Sequence, residues 1–357
     1  MEEIIKYPFA FSEDSQNPTV GNLELGPASP YPINAEGSGF YRPGKISLEN
    51  GHSLEIVLYH NAATAKFMYI RNTPVEPNLL EIVGVDPQLA KGRKTVRLPG
   101  QLCLGAERAD IVGESVTQML KSPVFHPIFD EFKQENLAVF PIAREGLKYQ
   151  VQDAIFKNYG FFCDEVVLDA HHVFDSSVPV YNRTVELTIF KDKDLDIRQK
   201  EKIAVAFFAD SIASGLVMKE VIARVKERFE NLKRIEVIAP LATIRGLCRL
   251  AQPEIDGNYA VRVHVFETLL NALPPDYYYS AHFNDPDFHF DPELEKEYRE
   301  WWGKDDEGRV IADTACAGYG WSEAFYSPRK QIQMMNSQLV TRHNLSIADI
   351  VRRNLEK

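Results

Sequence analysis

The sequence is short of cysteine, of uninterrupted apolar runs and of positive charge, and each shortage removes a class of protein. Its four cysteines, Cys103, Cys163, Cys248 and Cys316, stand 60, 85 and 68 residues apart in a chain of 357. That spacing matches no zinc-ligand pattern and no compact disulfide framework, so buried reduced thiols are expected. No window of about 18 consecutive apolar residues occurs, so no bilayer-spanning helix is expected. Lys and Arg number 40 against 51 Asp and Glu, a formal charge of −11. A chain that wraps nucleic acid or coats an anionic membrane needs a local surplus of cations, so neither partner is expected. A small basic pocket for a phosphorylated molecule stays compatible with that balance. The first residues, Met1-Glu2-Glu3-Ile4-Ile5-Lys6, carry acids where a secretory signal carries a basic segment, and a cytoplasmic protein is expected. There is no internal repeat and no low-complexity tract.

What the sequence does contain divides into three textures. At roughly 150 residues per domain the length suggests two domains, or one with an extension. Residues 1–112 are expected to form a β-rich region, 113–335 an α/β domain and 336–357 a C-terminal helix. Residues 12–45 are crowded with Ser, Asn, Pro and Gly, which punctuate a chain with turns. Ser53–Tyr59 and Ala65–Ile70 mix β-branched and aromatic residues over a strand length, so both are expected to be strands. From residue 113 onward, short apolar runs alternate with long amphipathic segments, the pattern of βαβ units.

The clearest unit runs from residue 203 to 239. Ile203–Phe208 is a continuous apolar run, as expected of a strand buried on both faces. Small and polar residues follow over 209–215. Leu216–Leu232 carries apolar side chains at helical spacing, and Ile235–Ala239 is the next expected strand. Such a strand, loop and helix aim free backbone N–H groups and the helix dipole at one spot, which makes an anion site. Upstream, the apolar run Ala138–Ile142 leads into Arg144, and Tyr149–Asn158 is expected to be helical. The expected fold class is α/β, an open and mainly parallel twisted sheet flanked by helices, with a β-rich N-terminal extension. Ligands of such sheets collect at the carboxyl ends of the strands, so Arg144 and the 209–215 loop are expected to face one crevice.

These segments, in this order, resemble those of uracil phosphoribosyltransferases, within the type I phosphoribosyltransferase superfamily. Pro141-Ile-Ala-Arg-Glu-Gly-Leu147 looks like the family's Pro-Ile-Leu-Arg-Ala-Gly-Leu segment. Ala209-Asp-Ser-Ile-Ala-Ser-Gly215 falls where its Asp-Pro-Met-Leu-Ala-Thr-Gly loop falls, and Val237-Ile-Ala-Pro240 with Gly246 is similar to the strand after that loop. Ala317-Gly-Tyr-Gly-Trp-Ser-Glu-Ala-Phe325 stands where the family has a Gly-rich base-binding segment ending in Phe. The resemblance covers about residues 120–330. It implies transfer of ribose 5-phosphate from phosphoribosyl pyrophosphate to a nitrogen heterocycle, with Mg2+ carried on the donor's pyrophosphate. Arg144 would meet the pyrophosphate, because a guanidinium can make two parallel bonds to phosphate oxygens. Ser211, Ile212, Ala213, Ser214 and Gly215 would cradle the 5-phosphate, Asp210 would bond a ribose hydroxyl, and Gly318, Gly320 and Ser322 would line the base site.

The chain also departs from the family. Ala209 stands in place of the loop's aspartate, Leu216 and Val217 replace a glycine and a hydroxyl residue, and the C-terminal segment lacks the Asp-Ala-Gly-Asp core of the uracil site. An acceptor other than uracil, or a non-catalytic nucleotide-sensing protein on the same fold, are the readings those departures open. Beyond the resemblance, His282-Phe-Asn-Asp-Pro-Asp-Phe-His-Phe-Asp291 offers oxygen and imidazole ligands for a divalent metal, as a metal-dependent hydrolase would need, or else a surface loop packing its aromatics. Pro274–Tyr279 suggests an insertion near the site, and Lys191–Lys202 either a solvated turn or a lid. His171 and His172 are neighbours on an expected strand, so they point to opposite faces and do not easily bind one metal; one is read as a buried, hydrogen-bonded histidine or else as an acid or base near the crevice. Pro292–Trp302 is expected to be a charged helix ending in packed tryptophans. Ser346 is expected to cap a last helix ending at Leu355. A homodimer is expected because the N-terminal region and the last helix both need partners.

Overall fold

The computed structural model describes residues 4–12, 18–35, 37–177, 183–189, 201–252, 259–270, 288–320 and 322–356. Five strands come first: Ile5–Ser12 (β1), Pro18–Leu25 (β2), Ser29–Pro32 (β3), Ser38–Leu48 (β4) and Ser53–His60 (β5). Ile70–Pro74 (β6) and Thr95–Pro99 (β7) make a separate antiparallel ribbon. Leu137–Ala143 (β8), Asp164–Glu165 (β9), Leu168–Phe174 (β10), Arg183–Ile189 (β11), Val205–Ala209 (β12) and Arg234–Ile238 (β13) follow. Ala242–Thr243 (β14), Ala260–Phe266 (β15), Thr268–Leu270 (β16) and Phe288–His289 (β17) complete the set.

The main sheet runs β1-β2-β4-β5-β15-β13-β12-β8-β10-β11, with β3 paired on β4 and β9 on β8. Its centre, from β5 to β10, is parallel throughout. Both wings are antiparallel: β1, β2 and β4 on one side and β11 on the other. The expected mainly parallel sheet is therefore right for the middle of the molecule and gives way to hairpins at the edges. Strands of the first sixty residues extend this same sheet, because β5 pairs in parallel with β15.

Burial on both faces explains the long apolar runs. In β12 every residue is buried; Val205, Phe207 and Ala209 join one core while Ala206 and Phe208 join the other. Strand alternation produces that split, and each fully buried Phe contributes roughly 2–3 kcal/mol relative to exposure. One core is covered by helices Ala62–Met68, Ala106–Met119, Val151–Tyr159, Pro292–Trp302, Pro328–His343 and Ile347–Leu355. The other is covered by Leu216–Arg228 and Ile244–Leu250 and by side chains of the N-terminal strands, including Leu23, Leu25 and Ile46. No helix among the described residues is long and apolar enough to cross a membrane.

Several local expectations need correction. Ala65–Ile70 is not a strand; residues Ala62–Met68 form a helix and the strand begins at Ile70. The deciding signal is Asn61, whose side chain accepts from the N–H groups of Ala63 and Thr64 while the Thr64 hydroxyl accepts from Asn61 N–H. That reciprocal cap outweighs the β preference of Phe67 and Tyr69. The expected helix over Tyr149–Asn158 begins later, at Val151, because residues 146–148 form a tight turn and Gln150 adopts φ 55. Helix Leu216–Arg228 ends four residues before Leu232. Residue 335 lies inside helix Pro328–His343, and the last helix, Ile347–Leu355, opens at Ser346 with the expected cap. Helix Pro292–Trp302 forms as read, with Trp301 and Trp302 buried.

Candidate functional site

Strands β8 and β12 are hydrogen-bonded side by side and parallel, so their carboxyl ends open together. After β8 the chain turns through a cis Ala143–Arg144 peptide. The Arg144 guanidinium, about half exposed, lies 4.6 Å from the centre of the Tyr326 ring and 3.7 Å from the Glu323 carboxylate. Tyr326 Oη donates to the Arg144 carbonyl at 2.6 Å. Stacking on an aromatic face and pairing with an acid hold a long flexible side chain in one place.

The loop after β12 is anchored from below. Ile212 N–H donates to the Leu241 carbonyl at 2.8 Å, and Thr243 N–H donates to the Ile212 carbonyl at 2.9 Å. Thr243 Oγ1 donates to the Ala213 carbonyl at 2.6 Å, and the Arg249 guanidinium donates to the Ser214 carbonyl. Gly215 sits at φ 77 at the start of helix Leu216–Arg228, where an added Cβ would lie 2.5 Å from the Gly246 carbonyl oxygen. Glycine is required there both by the backbone angle and by the close approach. Among the described residues, no backbone carbonyl accepts from the N–H of Ala213, Ser214 or Gly215. These donors stand at the positive end of a 13-residue helix, a geometry suited to an anion.

A polar cluster ties the two loops together. Glu145, buried, accepts from Tyr149 Oη at 2.6 Å and from Ser211 Oγ at 2.8 Å, and those two oxygens lie 2.8 Å apart. Gly146 touches the Ala209 carbonyl so closely that a Cβ would come within 1.8 Å of its oxygen. Asp210 keeps part of its surface open, and its carboxyl is held well above the usual range, first by burial and then by the Glu145 charge. Burial, followed by the Glu145 charge, also keeps the Tyr149 phenol protonated. One carboxyl that prefers its proton therefore stands beside another acid at the carboxyl ends of β8 and β12.

The structure brings together Arg144, Asp210, Ser211, Ile212, Ala213, Ser214 and Gly215, but in differing roles. Ile212 turns its side chain into the core, and the Ser211 hydroxyl is engaged by Glu145 and Tyr149 rather than turned toward a ligand. Ser214 Oγ accepts from Leu216 N–H at 3.3 Å, leaving its own proton to donate. Gly318 lies apart: it is buried, its carbonyl accepts from Gln331, and a Cβ would meet Met335 at 2.8 Å, so it serves the packing of helix Pro328–His343. Gly320 and Ser322 are half-buried and lead into the short helix Glu323–Tyr326, whose Glu323 and Tyr326 are what reach Arg144. Glu145, Tyr149, Glu323 and Tyr326 were missed by sequence reasoning. The four-residue spacing of Glu145 and Tyr149 just after the β8 run was the one available signal.

The other candidates separate from this crevice. His171 is exposed on the β10–β11 ribbon, 3.5 Å from Glu186, and its neighbour His172 is half-buried on the opposite face. Of the 282–291 stretch, residues 282–287 lie outside the described residues; Asp291 caps helix Pro292–Trp302 by accepting from Glu293 and Leu294 N–H. His289 is shielded beside Tyr69 and Glu295, and burial lowers its pKa to about 4. Among the described residues no group of three or more His, Cys, Asp or Glu side chains is placed to hold a metal ion. Residues 274–279 and 191–200 lie outside the described residues. Cys103, Cys163 and Cys248 are buried and form no disulfide among the described residues, and burial pushes the thiols of Cys103 and Cys163 up to about 12.

No family model and no curated protein matches this sequence. Among solved structures, the hypoxanthine phosphoribosyltransferase of Staphylococcus aureus is similar over 51% of this chain and 90% of its own length, with 13% identity and a TM-score of 0.30. A likeness that slight carries no argument about the crevice.

Proposed function

We propose that the crevice binds phosphoribosyl pyrophosphate and transfers its ribose 5-phosphate to a nitrogen heterocycle, releasing pyrophosphate. The observation that supports this reading is the pairing of two features on adjacent parallel strands: a helix-terminal loop with free N–H donors after β12 and a positioned arginine after β8. A donor with a phosphate at one end and a pyrophosphate at the other matches two anion sites one strand apart, about 5 Å along the edge of the sheet. The backbone N–H groups of Ala213 to Gly215 and the Ser214 hydroxyl would take the 5-phosphate, and Arg144 the pyrophosphate. A protonated Asp210 would donate to, or accept from, a ribose hydroxyl. Positive charge develops at the anomeric carbon as pyrophosphate leaves, so the protein's task is to fix geometry and stabilise the leaving anion.

Mg2+ fits this site only in company with the donor. Hard oxygen ligands suit it, but Glu145 is buried and engaged by Tyr149 and Ser211, Asp210 holds its proton, and the described residues offer no cage of three ligands. The pyrophosphate oxygens would bring the ion in, where it offsets their charge.

A second reading, a non-catalytic nucleotide sensor, is favoured by one feature: Ala209 and the sequestered Ser211 hydroxyl leave the loop fewer side-chain contacts to a ribose phosphate. Calorimetric titration of phosphoribosyl pyrophosphate with Mg2+, beside ribose 5-phosphate and the nucleoside monophosphates, separates the two. Magnesium-dependent binding of the donor supports transfer; binding of a monophosphate alone supports sensing and removes the transfer reading. Light scattering on the same sample tests the proposed homodimer.

A further inference from the structure

We propose that His60, oriented by Glu267, is the proton acceptor for the nucleophile in this reaction, a role that rests on the phosphoribosyl reading above. His60 ends β5 and Glu267 directly follows β15, its parallel neighbour, so both stand on the same carboxyl edge as Arg144 and the 210–215 loop. Two strand spacings separate β15 from β12 and three separate β5 from it, which places Glu267 about 10 Å and His60 about 15 Å along the edge from the phosphate loop. A run of packed side chains connects the two places. Helix Ala62–Met68 starts just after His60, and its Phe67 packs under the Arg108 guanidinium, which also covers Phe325, the neighbour of Tyr326 on Arg144.

The pair is built to hold one imidazole nitrogen and leave the other open. His60 Nδ1 lies 2.9 and 3.1 Å from the two Glu267 oxygens, and the Thr64 hydroxyl donates to the same carboxylate. The His60 ring stacks on Phe290 at 5.3 Å and 15°, with Phe40 at 6.2 Å on an inclined plane. A carboxylate accepting from Nδ1–H puts the lone pair of the neutral ring on Nε2. Among the described residues Nε2 has no hydrogen-bond partner, and about a quarter of the side chain, 23%, is exposed.

Glu267 itself is fully buried and adopts φ 57, a left-handed conformation unusual for a residue other than glycine. Its backbone is clamped there, with its N–H donating to the Tyr59 carbonyl and its carbonyl accepting from Phe290 N–H. The groups that act on His60 are Glu267 and Asp291, with Arg42 standing off over the Phe290 ring. Burial opposes charging of the imidazole; Glu267 and then Asp291 more than offset it, so the pKa lies above the usual 6.5 and the ring takes up a proton more readily than a free imidazole.

In the step assigned here, the acceptor's nitrogen forms a bond to the anomeric carbon while the bond from that carbon to the pyrophosphate oxygen breaks. Pyrophosphate leaves with the electron pair, and the proton of the nucleophile passes to His60 Nε2. Glu267 stabilises the imidazolium until it returns its proton to water. His60 is thus the catalytic base and Glu267 a positioning residue.

The test uses the full chain with Mg2+ and phosphoribosyl pyrophosphate, measuring pyrophosphate release with water alone and with adenine, hypoxanthine or uracil added, and donor binding by calorimetry. His60→Gln is expected to lose about 100-fold in release with donor affinity unchanged. Glu267→Gln removes the charge that raises His60, so the acid limb of the pH–rate profile is expected to move to lower pH, an effect that a merely structural role would not produce. Donor binding with full release in His60→Gln, or an unmoved acid limb in Glu267→Gln, overturns the dyad and leaves the transferase reading standing. Absence of donor binding or of release by the unaltered protein overturns that reading and the dyad with it.

Discussion

Replacing Gly146 by alanine tests whether contact between the two loops builds the crevice. Gly146 has an ordinary backbone angle, so the perturbation is steric: its new methyl would lie 1.8 Å from the Ala209 carbonyl oxygen. Nonbonded contact needs roughly 3.5 Å, so the β8 and β12 loops would have to part by about 1.7 Å. Forcing a methyl into a packed contact costs about 1–3 kcal/mol. At roughly 2 °C per kcal/mol for a chain of this size, Tm should fall by about 2–6 °C. The effect on function should be larger, because a misplacement of about 1 Å between positioned groups costs on the order of 100-fold in rate. Gly160→Ala supplies the control. Gly160 has φ 82 and nothing within 4 Å of the added Cβ, so only the backbone angle resists, at about 1 kcal/mol. Calorimetric Tm and donor titration on both variants decide the matter. If Gly146→Ala matches the control in Tm and binds the donor like the unaltered protein, the loops do not depend on each other and the crevice argument fails.

Arg144→Ala should leave Tm within about 2 °C, since half-exposed ion pairs contribute roughly 0.2–1 kcal/mol, while donor affinity falls about 10- to 100-fold with the lost charge-assisted bonds. A large drop in Tm would assign Arg144 to the fold instead. Asp210 has its folded pKa raised above 3.8, so its proton favours the fold and stability is lost as pH rises through that raised value. Asp210→Asn should accordingly gain in Tm over the unaltered protein between pH 4 and 8, and a constant gap across that range would count against the buried acid pair. Asp305 shows the opposite sign: burial resists its ionisation, but bonds to His343 and Arg309 hold the carboxyl far below 3.8, so its contribution is present above that pH and lost as pH falls. Asp305→Asn should flatten the decline of Tm between pH 5 and 3. Asn61→Ala should cost about 1 kcal/mol by removing the cap of helix Ala62–Met68, a fall in Tm of about 2 °C, and an unchanged Tm would mean that the cap does not hold that helix.

Much of the parallel centre could be read from the chain because its signals are local. An apolar run too continuous for a half-exposed strand, a small-residue loop and an amphipathic stripe follow one another between residues 203 and 239, and the strand, loop and helix appear there within a few residues. The same holds for Ala138–Ile142, for Pro292–Trp302 with its terminal tryptophans, and for the Ser346 cap. Residues 65–70 misled because Phe67, Tyr69 and Ile70 favour strands, whereas the capping box that begins four residues upstream decides the helix; that bond network is local too, and Asn61 with Thr64 was its visible trace.

By itself the sequence determined which segments could be buried on both faces, where an anion could meet a helix terminus, and that Arg144 follows a strand while Gly215 precedes a helix. It could not determine which strands become neighbours, since pairing depends on contacts between residues far apart in the chain. Only the tertiary structure put β8 beside β12 and so closed Glu145, Tyr149 and Ser211 into one cluster. Only it turned Gly318 toward Met335, and brought Tyr326 over Arg144 from 182 residues away. The joining of β5 to β15, which sets His60 against a buried Glu267, was likewise invisible beforehand, because a register between strands two hundred residues apart leaves no periodicity in either one.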